Sequence, residues 1–364
     1  MVAHPSSKSE APRDFGVAVW LFVVCAFVTA MILVGGATRL TDSGLSITEW
    51  NFVKGIIPPL SDSAWNTEFA LYQQTAEYQR VNFGMSMADF QGIYLWEWGH
   101  RFLGKMIGLV FAIPYLFFLF TGRLKGRLLA CTALFALGGL QGAIGWWMVT
   151  SGLGQTDRVD VSSIRLAVHL GMAFSIIGFA FYLALLALGW PRQQGGARMP
   201  VAFAAGYLAL LFAQIVFGAL VAGIDAGRAA SDWPTIGGEW FPSSYAGLEP
   251  FARNLVENAL AAQYNHRMLG YAVFLTGLGL SHWAIRAASG PTKTMGMVVT
   301  TLLLTQVGLG IATVMTGAPL WLCLIHQGGA IALWLASVSL CVAGLRAPVT
   351  VAQTQAAQGV AANA

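Results

Sequence analysis

Charge is what this chain has least of. Only 10% of its 364 residues are Asp, Glu, Lys or Arg, whereas 56% are hydrophobic, and the mean hydropathy is +0.64. A soluble domain carries roughly a quarter charged residues, so this composition excludes an ordinary water-soluble globule. Cysteine is also scarce. Cys25, Cys131, Cys323 and Cys341 all fall within apolar runs, where a thiol behaves as a small apolar side chain. No Cys-x-x-Cys-His occurs, which excludes covalent c-type haem attachment, and the polar connections have no cysteine pair that could form a loop disulfide. Acidic residues are lacking from alternate connections: those around Arg123, Lys125 and Arg127, around Arg192 and Arg198, around Arg286 and Lys293, and after Arg346 are basic without Asp or Glu. The net charge of +4 is therefore a topology signal, and nothing in it points to nucleic acid.

Apolar runs of spanning length are abundant. Eight are predicted, at about 16–34, 92–120, 128–149, 164–189, 201–223, 256–285, 297–315 and 320–345. The first is too long for a signal-peptide core and is read as a retained helix. Placing the basic connections in the cytoplasm puts both termini there as well. The expected fold is an all-α integral membrane protein of eight transmembrane helices.

A repeat organises these helices. EWGHRFLG at 97–104 matches QYNHRMLG at 263–270, GLQGAIGWWMVTSGL from 139 resembles TQVGLGIATVMTGAP from 305, and RLAVHLGMA from 165 resembles WLCLIHQGGA from 321. Each copy has four helices, an even number, so the copies share one orientation and predict two pseudo-symmetric four-helix bundles side by side. The expected organisation is a cytoplasmic tail at 1–14, an N-terminal bundle at 15–190 with a long outer loop at 35–91, a cytoplasmic linker at 191–200, a C-terminal bundle at 201–346 and a disordered tail at 347–364.

Four histidines recur with the repeat. His100 precedes Arg123 by 23 residues, His169 precedes Arg192 by 23, His266 precedes Arg286 by 20 and His326 precedes Arg346 by 20. At the helical rise these intervals are roughly 30 to 35 Å, one bilayer core, so all four imidazoles are expected at one depth near the outer face. Each pair comes from the second and fourth helices of a bundle, which are diagonal across an up-down core. Two such pairs suggest two bis-histidine metal or haem sites. A lone intramembrane histidine is more often a hydrogen-bonded packing residue; four at repeated positions reverse that reading. His4 and His282 have no repeat partners and are not expected to be ligands.

Around these pairs, Arg101 and Arg267 directly follow the first histidine of each half. They suit forked hydrogen bonds to a propionate, or else simple interfacial anchoring. Trp96, Trp98, Trp146 and Trp147 could line a flat porphyrin pocket or form an aromatic belt. One asymmetry separates the halves: Glu97 stands one turn before His100, where the repeat has Gln263 before His266. A carboxylate at that depth suggests chemistry in the first half, against a helix-end carboxylate satisfied by water or backbone amides.

In order along the chain, GGATRLTDSGLSITEW (35–50, with Arg39), GIIPPL, EYQRVNFGMSMADF, WEWGHRFLGK, GLQGAIGWWMVTSGL, IRLAVHL, AGIDAGRAASDWPTIGGEWFP, ENALAAQYNHR and the terminal HQ at 326–327 resemble the haem A synthase family, proteobacterial and mitochondrial type, from about Phe15 to Leu345. The resemblance implies an oxidoreductase of haem A biosynthesis that converts the C8 methyl of haem O to a formyl group, serving cytochrome oxidase assembly. It implies a bound haem b between His266 and His326, with haem O as substrate between His100 and His169. Glu97 then becomes the catalytic candidate, and Arg101, Arg267, Arg39 and Trp98 become propionate or pocket candidates. The implied setting is the inner (cell) membrane with the haem sites toward the periplasm. The implied partners are a haem O synthase as haem donor, an unidentified electron donor or acceptor, and lipid, with homo-oligomerisation open. Two alternatives stand beside it: a bis-histidine electron-transfer cytochrome b, which requires haems near both faces, and a non-enzymatic haem carrier or transporter.

Overall fold

The computed structural model describes residues 13–49, 54–153, 158–191 and 197–346. The expectations for the 347–364 tail, for residues 1–12 of the N-terminal tail and for residues 192–196 of the linker lie outside those residues. The described residues are all-helical apart from one isolated bridge, Ile236 to Glu239. The elements are α1 (Phe15–Leu40), α2 (Asp62–Tyr72), α3 (Ala76–Arg80), α4 (Met87–Phe120), α5 (Leu128–Val149), α6 (Ser163–Leu188), α7 (Val201–Gly223), α8 (Ala259–Ala287), α9 (Gly290–Met315) and α10 (Leu320–Arg346). Eight of these, all but α2 and α3, are long and apolar enough to cross a membrane.

Local chemistry sets their ends. Asp14 caps α1 by accepting from the Val17 N–H at 3.0 Å; it also pairs with Arg123, and its own N–H donates to the Ala187 carbonyl. One residue thus ties the starts of α1 and of the 121–127 turn to the end of α6. Arg123 beside it holds the Asp14 carboxyl below the usual carboxylate range. Ser86 caps α4 six residues before the apolar run begins, and Asn258 caps α8. α6 stops at Gly189, whose φ of 72° lies in the left-handed region.

Two elements extend past their apolar runs. α1 continues six residues beyond Val34 to Leu40, since GGATRL has nothing that breaks a helix. The first two turns of α4 are amphipathic, and their aromatic face packs under the outer loop. Phe90 lies 4.9 Å from Phe69 and 5.2 Å from Tyr72 between ring centroids, and Tyr94 lies 5.1 Å from Trp65. The 35–91 connection is therefore a folded cap built around α2 and α3, seated on α4 by buried aromatic area.

α1, α6, α7 and α10 form the inner layer, and α4, α5, α8 and α9 pack outside it. α4 and α6 both flank α1, and α8 and α10 both flank α9. Where the inner helices meet, glycine permits close approach. Trp334 of α10 lies against Gly178 of α6 and donates its indole N–H to the Phe174 carbonyl at 3.0 Å. Gln327 lies against Gly36 of α1 and donates to the Ile32 carbonyl.

Candidate functional site

A cavity of about 1020 Å³ runs between the helices, and all four predicted histidines line it: His100 on α4, His169 on α6, His266 on α8 and His326 on α10. They are brought together in the predicted pairs. His100 lies within electrostatic reach of His169, and His266 within reach of His326.

Each imidazole rests on a glycine of a neighbouring helix. A Cβ added to Gly35 (α1) would sit 3.0 Å from His100, on Gly145 (α5) 2.9 Å from His169, on Gly218 (α7) 3.1 Å from His266, and on Gly310 (α9) 3.1 Å from His326. Any side chain at these positions would displace a ring. Gly145 and Gly310 occupy matched positions of the repeat, and Gly35 and Gly218 lie on the first helix of each half, so the seat for each histidine recurs with the histidine itself.

Glutamine amides hold the same turns. Gln306 Nε2 donates to the His326 carbonyl at 2.7 Å, its counterpart Gln141 Nε2 donates to the His169 carbonyl at 3.1 Å, and Gln214 Nε2 lies 3.3 Å from His266 Nε2. The Oε1 atoms of all three glutamines, and Nδ1 of His266 and His326, are buried with no partner in the protein. Unpaired polar atoms in an apolar space cost about 1–3 kcal/mol each, so such a cluster is built for a ligand that completes it. Among the described residues no group of three or more His, Cys, Asp or Glu side chains is placed to hold a metal ion. Paired imidazoles facing an apolar slot fit a haem, whose macrocycle fills the other iron positions.

At the rim the two halves repeat one latch in two chemistries. Glu97 is 2% exposed; its Oε2 accepts from Ser46 Oγ at 2.7 Å and from the Ile47 N–H at 2.8 Å, and its Oε1 accepts from Arg101 at 2.6 and 3.1 Å. Arg101 also donates to the carbonyls of Ile47 and Glu49. In the second half Gln263, equally buried, donates to the carbonyls of Ala230 and Gly227, and Arg267 donates to Gln263 Oε1 and the Thr235 carbonyl. Each Arg therefore fastens its outer loop to the helix that carries the first histidine. Arg267 Nε stays buried without a partner and faces the same cavity.

Arg39 has a different setting. Its guanidinium reaches Asp42 at 2.6 Å, Asp225 at 2.9 Å and Asp160 at 3.5 Å, so it pins the C-terminal ends of α1 and α7 and the segment before α6 together. Burial pushes the Asp160 carboxyl up, and its acidic neighbours add to this, while Arg39 opposes it. Trp98 does not line the cavity: its ring stacks on Phe102 at 5.2 Å and packs against the outer-loop aromatic cluster. Trp96, Trp146 and Trp147 are exposed and also absent from the cavity wall. Aromatic spacing alone could not tell an outward face from an inward one.

Glu77 is a cavity residue that sequence reasoning missed. It lies on α3 in the outer loop, 5% exposed, hydrogen-bonded to Tyr72, with Oε2 buried and unpartnered. Burial, reinforced by Glu97, pushes its carboxyl up to about 8. An acidic residue in a polar loop looks solvated, and only the fold of that loop shows otherwise.

The family model for Cytochrome oxidase assembly protein (COX15-CtaA) matches residues 18–338. The chain is 48% identical over 341 residues to the "Heme A synthase" of Maricaulis maris, covering 93% of this chain and 97% of that one. It is 44% identical over 329 residues to the protein of that name from Caulobacter sp., covering 89% and 95%, and 46% identical over 323 residues to that of Paracoccus denitrificans, covering 87% and 84%.

Proposed function

Since the chain belongs to the family of cytochrome oxidase assembly proteins, we propose that it is a haem A synthase, an oxidoreductase converting the C8 methyl of haem O to a formyl group. The observation that carries this reading is the pair of glycine-seated histidine couples on one apolar cavity, alike in ligands and unlike in the group one turn before the first ligand. In this reading residues 15–190 and 201–346 are two pseudo-symmetric four-helix bundles. The termini and the 191–200 linker are cytoplasmic, the membrane is the inner one, and the haem sites lie toward the periplasm. The acidic outer loops and the basic inner connections support that orientation.

His266 and His326 hold a resident haem b, and their buried, unpartnered Nδ1 atoms and the Gln214 amide fit that role. Bound there, the haem supplies one-electron chemistry. His100 and His169 hold haem O as substrate. Gly35 and Gly145 let both rings lie close to the helix backbone and leave the slot free. Arg267 Nε and Arg39 Nε, buried at the cavity wall without partners, are donors for propionates. Arg101 fastens the 47–49 segment to α4 beside the first site, which holds Glu97 in its place on the cavity wall.

Oxidising a methyl to a formyl group removes four electrons, which the proposed electron partner accepts, and only the first half has a carboxyl one turn before its first histidine, Glu97 where the second half has Gln263. Glu97 is oriented by Ser46, Ile47 and Arg101 one turn from His100, where a negative charge favours a cationic intermediate of the substrate. Glu77, neutral at pH 7 because burial holds its pKa near 8, keeps a proton at the same wall. A haem O synthase as donor, an electron partner and self-association complete the proposed setting.

Expression in a host that makes haem O but not haem A tests the function. Extracted pigments should contain haem A when this chain is present. Unchanged haem O, with haem bound to the protein, would make it a carrier or an electron-transfer cytochrome.

A further inference from the structure

The two halves differ in a second way, at the seam between their outer helices. α8 and α9 pack closely: a Cβ on Gly277 would meet Leu303 at 2.7 Å, and one on Gly296 would meet Ala284 at 2.9 Å. α4 and α5 stand apart and touch mainly through stacked rings and one hydroxyl pair, Phe111 on Phe135 at 5.4 Å and Tyr115 to Thr132 at 2.7 Å.

The repeat shows why. On α4 the cavity face reads His100, Gly104, Gly108, and on α8 it reads His266, Gly270, Phe274. On α5 the face that leads away from His169 reads Gly145, Gly142, Gly138, and the matching residues of α9 are Gly310, Val307, Leu303. Beyond the first turn, each glycine of the first half is replaced by a bulky apolar residue in the second. A Cβ added to Gly108, Gly138 or Gly142 meets nothing within 4 Å, and all three positions are exposed while lining the cavity, whereas Leu303 is 2% exposed. The first cavity is thus open sideways toward lipid along about 10 Å of helix, seven residues at the helical rise. Gln141, beside Gly142, presents a buried and unpartnered Oε1 in the same wall.

We propose that this slot between α4 and α5 binds the isoprenoid tail of the haem substrate, with its open side toward the bilayer. The proposal rests on the reading that haem O binds at His100 and His169. Haem O carries a long isoprenoid chain with a hydroxyl at its root, and haem b does not. An apolar slot of glycine backbone suits the chain, and Gln141 Oε1 suits the hydroxyl as an acceptor. The second half, assigned to a tail-less haem, has its slot filled by Phe274, Val307 and Leu303. The glycines therefore set substrate specificity by space, as a residue of a few methylenes does in any apolar pocket.

The test copies the second half into the first. Purified wild type, Gly138→Leu/Gly142→Val and, from the opposite wall, Gly108→Phe are titrated with haem O and separately with haem b, following the optical difference spectrum of the added haem. Wild type should bind haem O about tenfold or more tighter than haem b. Both variants should bring haem O down to the haem b level and leave haem b affinity within about twofold, since only the tail is obstructed. Replacing glycines that face open space costs little in a helix, and the spectrum of the resident haem checks that each variant is folded. Equal affinity of wild type for the two haems, or preference retained in both variants, overturns the slot. Tighter haem O binding without haem A formation would sustain the slot and overturn the synthase reading instead.

Discussion

Replacing Glu97 with Gln looks like a clean removal of charge, and the structure predicts otherwise. Glu97 accepts on both oxygens, from Ser46 and the Ile47 N–H on one and from Arg101 on the other. Glutamine keeps one acceptor. With its carbonyl toward Arg101, its NH2 faces the Ile47 N–H, a buried donor set against a donor. Leaving that amide unsatisfied costs about 1–3 kcal/mol, and losing the charge-assisted bond to Arg101 costs a further ~1.5–3 kcal/mol. Gln263 escapes this only because its loop presents the carbonyls of Gly227 and Ala230 to the amide. The first loop is shaped for a carboxylate and the second for an amide. A local loss of roughly 3 kcal/mol raises the opening equilibrium by about two orders of magnitude. Hydrogen exchange of the 43–49 segment, which includes the Ile47 amide itself, should therefore accelerate by about that factor in E97Q. Exchange in α6 and α10 should stay unchanged. Loss of haem A from E97Q would then report a released loop as well as a missing charge. Unchanged exchange at Ile47 would refute the latch and return Glu97 to a purely electrostatic role.

His266→Ala or His326→Ala should remove most of the low-spin haem absorbance of the purified protein, because no neighbouring group replaces an axial nitrogen, whereas His100→Ala or His169→Ala should keep it and abolish haem A; an unaltered spectrum in both of the first two would sink the assignment. Glu77 ties stability to pH. Its carboxyl ionises near 4.5 in the unfolded chain and near 8 in the folded one, so its contribution is complete below pH 4.5 and is lost as pH rises through 8. Glu77→Gln should flatten the fall in thermal midpoint between pH 5 and 9, and an unchanged slope would show that this carboxyl is not held neutral. A reporter active only outside the cytoplasm should work when fused near Gln74 or Gly247 and fail near Gly195 or Ser289, and the opposite pattern would invert the proposed topology.

The sequence by itself determined the features that repeat at helical or bilayer scale. Eight apolar runs, basic connections on alternate sides and four histidines at matched spacing follow from one-dimensional patterns, because length against bilayer thickness and charge against membrane side act on the chain locally. The order of family motifs was legible there too. Direction was not. That Trp98 turns into a loop cluster rather than the cavity, that Glu97 is fastened by Ser46 and Ile47 across 50 residues of chain, and that Arg39 gathers Asp160 and Asp225 from distant segments are long-range contacts with no period in the sequence. Glu77 carries the point furthest. It opens the EYQRVNF motif, yet nothing in that string marks it as buried, and only when α2 and α3 fold down onto α4 is its carboxyl removed from water and left facing the cavity. The glycines that open the α4–α5 slot lie between: they are plain in the sequence, but their meaning depends on what the facing helix leaves empty, and packing in three dimensions decides that.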